Sequence, residues 1–324
     1  VTEQVSLVLT APRSFEIQGQ SLGNPGPGLV LIQAEMSAIN AAHELLVYGG
    51  ELCQQMTPEI QSVLGFPTKT GNAMVGRVLE TGPGVAPNWK GKRVFSFHPH
   101  ESHFLAQTRD LLLLPEEVEP SAGVFVPQLE TAVTLLQDGR PLIGEKVAVF
   151  GQSAVGLVTL ALLRRFPLAE VVSCDPSPAR RALSLEWGAQ RTLAPESLED
   201  LRNCDLTYEL SGQPSTLGQA IQVTGFSGRV VIGSWYHSKR ADGELGSAFQ
   251  RSRIHILSSQ GGGIDPPLSG SWTRERRMLV AIGLLSEVHP ERLITHRFAL
   301  KDASQAFELL EQSLDGAIQA VFVY

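Results

Sequence analysis

The chain has 324 residues, too many for one ordinary domain and comfortable for two. With 43% hydrophobic and 18% charged residues it reads as globular, and a net charge of −7 argues against non-specific binding to nucleic acid or to an anionic membrane surface. No apolar run reaches the roughly 18 residues needed to span a bilayer. Val1–Thr10 alternates polar and apolar residues like a strand and lacks the basic–apolar–small pattern of a secretion signal. Cys53, Cys174 and Cys204 are too few and too scattered for a disulfide framework, so a reducing, cytoplasmic setting is expected.

Taken in chain order, the first 120 residues read as β-rich. Short runs at Ser6–Leu9, Gly28–Ala34, Met74–Glu80 and Arg93–Phe97 are broken by Gly/Pro clusters, a pattern of barrels and sandwiches. A helical period follows over Gly123–Leu136. Strands and helices then alternate: strand Lys146–Phe150, helix Ala154–Phe166, strand Glu170–Cys174, helix Ser177–Trp187, strand Asp205–Leu210, helix Ser215–Thr224, strand Gly228–Gly233 and strand Ile254–Ser259. This alternation predicts an α/β two-domain protein whose second domain is a doubly wound parallel sheet of Rossmann type. After Gly261-Gly262-Gly263, helices are expected at Thr273–Leu285 and Asp302–Ser313, with strands near Ile294–Phe298 and Ala317–Tyr324. The expected division is 1–120, 121–262 and a return segment, 263–324, that folds back on the first domain.

The sharpest local feature is the run from strand into helix at Gly151-Gln152-Ser153-Ala154-Val155-Gly156. Gly151 permits a tight turn off the strand, Gly156 permits close helix–sheet packing, and free amides at the helix start suit a diphosphate. Ser153 stands where a second glycine is usual. Asp175 ends the next strand and suits the adenosine ribose hydroxyls, or simply caps the helix that follows. An acid here favours NAD(H) over NADP(H), whereas Arg180 or Arg181 could turn towards a 2′-phosphate. Gly233, Ser234 and Ser259 complete the expected cofactor contacts.

Several motifs resemble the medium-chain dehydrogenase/reductase superfamily. Thr70-Gly71-Asn72-Ala73-Met74-Val75-Gly76-Arg77-Val78-Leu79-Glu80 is similar to its G-H-E-x-x-G-x-V-x-E segment, Gly91-Lys92-Arg93-Val94 to its G-D-R-V, and Leu185-Glu186-Trp187-Gly188-Ala189 to the end of the second Rossmann helix. The resemblance implies a GroES-like first domain, a nicotinamide cofactor and a homodimer. It also exposes departures. Asn40 stands where zinc-dependent members carry a Cys, Asn72 and Ala73 where they carry His and Glu, and Thr131 near the third ligand position. Such donors hold Zn²⁺ poorly, and residues 84–110 contain no Cys for a structural zinc. Within the superfamily the chain resembles a zinc-less branch of threonine-dehydrogenase-like proteins and bacteriochlorophyllide dehydrogenase.

With no zinc, hydrogen-bond donors must polarise the reacting carbonyl. The resemblance places Asn40, His43, Asn72 and Thr131 around the old metal position. His43 is the only one of these that titrates near neutral pH, as proton donor or as a plain loop histidine. Tyr48 offers a phenol to the pocket or caps it. The run Phe97-His98-Pro99-His100-Glu101-Ser102-His103 has the look of a metal motif, but Pro99 argues for a loop at the cleft mouth where His98 and His100 touch substrate. Trp235 and Tyr236 are expected as walls for nicotinamide or substrate, or as ordinary packing, and Arg274, Arg276 and Arg277 as a solvated helix face. The expected activity is zinc-independent hydride transfer between NAD(H) and a small carbonyl, alcohol or cyclic substrate. An NADPH-dependent quinone or enone reductase and a non-catalytic nucleotide-binding protein are the alternatives.

Overall fold

A computed structural model describes residues 2–51, 65–237, 239–240, 245–312 and 316–324; Cys53 and Ser313 lie outside these residues. The chain divides into two units, 1–126 with 289–324, and 127–288. The sequence boundaries at 120 and 262 therefore move to 126 and 288. The helix read as part of the return segment groups with the second unit instead.

In the first unit, β1 (Thr2–Ala11) pairs antiparallel with β2 (Ser14–Leu22). β3 (Leu29–Ala38) leads into α1 (Ala41–Tyr48), and β4 (Thr68–Lys69) pairs with β1. β5 (Met74–Thr81) and β6 (Arg93–Ser96) follow, then β7 (His103–Gln107) and β8 (Leu112–Leu113). The expected β-rich character holds, but β2 faces water along most of its length and gives no alternating signal. The register sets Ser37 of β3 opposite Met74 and Met74 opposite Ser96. Asn40, Asn72 and His98 consequently leave three neighbouring strands at one end of the sheet.

In the second unit, α2 (Val126–Gly139) precedes β9 (Lys146–Phe150), α3 (Ala154–Leu163), β10 (Glu170–Cys174), α4 (Pro178–Glu186), β11 (Arg191–Leu193), β12 (Cys204–Glu209), α5 (Ser215–Val223), β13 (Thr224–Ile232), β14 (His255–Ser258) and α6 (Arg274–Val288). Six strands lie in the order β11-β10-β9-β12-β13-β14, every pair parallel. Numbered within the sheet this is 3-2-1-4-5-6, the doubly wound dinucleotide-binding order. Successive residues of β9 serve opposite faces, with Ala148 and Phe150 in one core and Val147 and Val149 in the other. Burial on both faces is what makes these strands read as continuous apolar runs.

The chain returns to the first unit as β15 (Ile294–Ala299), α7 (Ala303–Gln312) and β16 (Gln319–Val323), which pairs with β3. Ala303, Ala306, Phe307 and Leu310 recur at helical spacing and pack with Leu7, Leu9 and Phe322. No helix among the described residues is long and apolar enough to cross a membrane.

One core position is poorly matched to its surroundings. The Tyr208 ring is sealed in the core beneath Gly139, and its hydroxyl has no hydrogen-bond partner among the described residues. Tyr208→Phe removes an orphan polar group and keeps the ring, so it is expected to leave stability unchanged or raise it by about 1 kcal/mol in urea unfolding. A loss of ~2 kcal/mol would show that the hydroxyl has a partner in solution.

Candidate active site

The turn after β9 lies at the strand-order switch between β9 and β12, where open parallel sheets bind ligands. Gly151 sits at φ +89°, and a Cβ there would lie 2.6 Å from the backbone of Leu210 and Ser211. At Gly156 a Cβ would come within 2.0 Å of the Gly151 carbonyl oxygen. Both glycines are thus required by contact, and Gly151 by conformation as well. Ser153 caps α3 without a side-chain hydrogen bond, which leaves the first-turn amides, Ala154 and Val155 among them, without an intrahelical acceptor.

Asp175 closes this turn from the next strand. Only 4% exposed, it accepts from the Gln152 amide at 2.7 Å and from the Ser177 amide at 2.9 Å. It is therefore not the helix cap; Ser177 caps α4 through the Arg180 amide. The Arg181 guanidinium is held by the Asp175 and Pro176 carbonyl oxygens, each at 2.8 Å. Gln152 turns its own side chain inward to the Val149 carbonyl.

At the next strand end, Glu209 is fully buried and accepts from the Ser211 amide at 2.9 Å, from the Ser211 hydroxyl and from the Tyr236 hydroxyl. Burial, followed by the bond to Glu209, pushes the Tyr236 phenol upwards. The Tyr236 hydroxyl is thus committed to Glu209. Trp235 is 59% exposed, and its ring lies tilted against His237 with centroids 3.8 Å apart. Ser234 Oγ accepts from the Gly212 amide, while Gly233 and Ser259 donate their amides to the Glu209 and Ile232 carbonyls. The Asp138 carboxyl is pushed up by burial and opposed by a hydrogen bond from Ser259. Arg277 departs from the expected solvated face. It is 1% exposed, donates to Glu130 at 2.9 Å and holds the Gly261 and Gly263 carbonyls, fixing the loop after β14.

The residues expected around the old metal position stand as follows. Asn40 precedes α1 with no side-chain capping bond, His43 is half-buried in the first turn, and Asn72 is half-buried before β5. Thr131, in the second unit, commits its hydroxyl to the Pro127 carbonyl at 2.9 Å. Tyr48 is buried: it packs against Phe15 and Phe307, and burial pushes its phenol up. The histidine run does not converge on one point. His98 stacks on Phe104 and meets Glu101 at 2.6 Å. His100 is fully buried between Ser37 and Glu44, not at a substrate surface. His103 lies against Ser102, and burial lowers its pKa.

Glu101 and Glu209 gave no signal that sequence reasoning used, although a glutamate ending an apolar strand, or three residues past a histidine, was visible in principle. Buried Glu101 receives His98, Gln4, Ser6 and Lys69. Burial pushes its carboxyl up, but the hydrogen bonds from His98, Lys69 and Ser6 outweigh it and pull the pKa down from 4.5 to about 2.

No family model matches the sequence. The chain is similar to the sorbitol dehydrogenase of Pongo abelii, 26% identical over 231 residues, covering 67% of this chain and 59% of that protein. It thus spans less than two thirds of that relative's length. It is also similar to the L-threonine 3-dehydrogenase of Pyrococcus abyssi, 22% identical with 98% of both chains covered. Among solved structures, an alcohol dehydrogenase from E. coli CFT073 complexed with NADH superposes with a TM-score of 0.82 at 18% identity, covering 99% of both chains. These likenesses support the medium-chain dehydrogenase/reductase superfamily that the sequence motifs resemble. The superfamily's two-domain plan, GroES-like plus Rossmann, accounts for both units.

Glu101 carries a pH signature. A folded pKa of about 2 against 4.5 unfolded contributes about 3 kcal/mol above pH 4.5, which is lost as the pH falls from 4.5 through 2. Glu101→Gln is expected to cost about that amount at neutral pH and to flatten the acid limb of the urea-unfolding profile. An unchanged acid limb would remove Glu101 from the account.

Proposed function

We propose that the chain is a zinc-independent oxidoreductase that moves a hydride between NAD(H) and a small carbonyl, alcohol or cyclic organic substrate. The observation that carries this reading is the Gly151–Gly156 turn at the sheet's switch point. Its bare amides suit a diphosphate, and Asp175 stands behind them for the ribose. A carboxylate keeps acceptor capacity beyond the two amides it holds here. Its charge opposes a 2′-phosphate, and Arg181, spent on two carbonyls, does not offset it. The reading is therefore NAD rather than NADP, and it weighs against an NADPH-dependent quinone or enone reductase.

The donor set does not fit a catalytic zinc. By the resemblance, two carboxamides, a methyl group and a hydroxyl already given to a carbonyl take the positions the superfamily uses for the metal. A bound nicotinamide supplies the hydride chemistry. The protein orients the substrate and stabilises charge on its oxygen, a task we assign to the Asn40 and Asn72 carboxamides. His43, half-buried one turn from Asn40, supplies or takes the proton. A homodimer through β14 belongs to the same proposal, because β14 ends the sheet with Ile256 and Leu257 only partly covered.

Titration of tryptophan fluorescence with NADH and NADPH tests the cofactor half. NADH is expected to bind more tightly by ~10- to 100-fold, and Asp175→Ser to erase most of that preference. Failure of both nucleotides to bind at millimolar levels would discard the proposal. Binding without turnover on any of a panel of aldehydes, ketones, quinones and chlorins would favour the non-catalytic alternative.

A further inference from the structure

The first unit buries a row of polar side chains that hydride transfer does not use. The Tyr324 hydroxyl lies 2.9 Å from Ser37 Oγ, and Ser37 Oγ lies 2.7 Å from His100 Nδ1. His100 Nε2 lies 3.0 Å from Glu44 Oε2, and Glu44 Oε1 accepts the Asn40 amide at 2.7 Å. One proton arrangement satisfies every atom: Tyr324 donates to Ser37, Ser37 to Nδ1, and Nε2–H and the Asn40 amide to the Glu44 carboxylate. The order Ser–His–Glu is that of a hydrolytic triad. Exposures of 0%, 0% and 2% for Ser37, His100 and Glu44 keep any substrate from the serine.

The imidazole also backs a second loop. The His100 backbone amide donates to the Thr70 carbonyl at 2.8 Å, and a Cβ on Gly71 would come within 2.9 Å of ring atom Cδ2. Gly71 can occupy this place because it has no side chain and adopts φ +110°. One buried residue thus touches Gly71, which precedes Asn72, and holds Glu44, which fixes the backbone of Asn40. Those are the two carboxamides assigned above to the substrate oxygen.

We propose that His100 is the positioning residue of the reaction centre, holding Asn40 through Glu44 and Asn72 through the Gly71 loop. The proposal rests on the reading of those two carboxamides as oxygen donors. In zinc-dependent members a metal would fix its ligands to one another; here a buried imidazole does so from behind. Glu44→Gln preserves the device. Its carboxamide oxygen accepts from the Asn40 amide and its NH₂ donates to Nε2. The row then reverses direction through the other imidazole tautomer, with each of its links still made.

Hydrogen exchange and kinetics of the full-length protein test this. In His100→Ala and Glu44→Ala, amides in peptides 38–44 and 70–74 are expected to exchange ~10- to 100-fold faster. Peptide 146–163 and NADH affinity should stay within about twofold of the parent. Glu44→Gln is expected to restore slow exchange. With NADH and acetoin, kcat should fall about tenfold or more in the alanine variants at constant KM for NADH, and recover in Glu44→Gln. Unchanged exchange, equal acceleration throughout the chain, or Glu44→Gln as damaging as Glu44→Ala would overturn the proposal. If His100→Ala does not fold, His100→Asn, which keeps an amide towards Ser37 and loses the reach to Glu44, gives the same comparison. A parent protein that binds NADH yet turns nothing over counts against the donor reading alone. Exchange then still decides whether His100 holds the two loops.

Discussion

A backbone amide buried where a strand gives way to a turn or helix must find an acceptor, and in this chain the acceptor is repeatedly a buried carboxylate. Asp175 takes the amides of Gln152 and Ser177, Glu209 that of Ser211, and Glu44 that of Asn40. Each bond lies at the end of a strand or the start of a helix. Charge-assisted bonds to ionised carboxylates are roughly twice as strong as neutral ones, so these turns are held more firmly than sequence pattern alone would suggest. Remove the carboxylate and the orphaned amide carries the full desolvation penalty.

The same constraint explains why the turn after β9 tolerates Ser153 in place of a second glycine. The positions with no room are Gly151, against Leu210 and Ser211, and Gly156, against the Gly151 carbonyl. Asp175 anchors the turn from one side and Glu209, through Ser211, sets its neighbour on the other. The side chain at Ser153 starts the helix without engaging it, so the glycine usual there is not demanded by packing within the protein.

The second unit was the more legible in the sequence. Its central strands are buried on both faces, so β9 and β10 announce themselves as apolar runs, and Gly151 and Gly156 mark the turn. The first unit was less so. β2 is nearly all exposed and carries no alternation, and α1 is a short helix inside a segment that otherwise reads as strand and loop. His100 was misplaced because its partners, Ser37 and Glu44, lie 63 and 56 residues away and no local pattern announces them. Arg277 was misplaced for the same reason: Arg274 and Arg276 beside it are exposed, whereas its partner Glu130 is 147 residues distant. Local periodicity reports which face of an element is apolar; it does not report a charge buried by a distant partner.

Pairing also narrows where a proton can come from. His98 and His100 are each committed to a buried carboxylate, and desolvation favours the neutral form of His103. The phenols of Tyr48 and Tyr236 are pushed up by burial, and the second is further held by Glu209, which disfavours release of either proton near neutrality. A general acid or base works best when its pKa lies near the working pH and its ring reaches the reacting oxygen. Of the residues the resemblance gathers around the old metal position, the Asn40 and Asn72 carboxamides and the Thr131 hydroxyl are not acid–base groups, and His43 carries the one imidazole. The fold thus pairs or buries His98, His100, His103 and these two phenols, whereas the proposed reaction draws on a half-buried histidine on the first turn of α1.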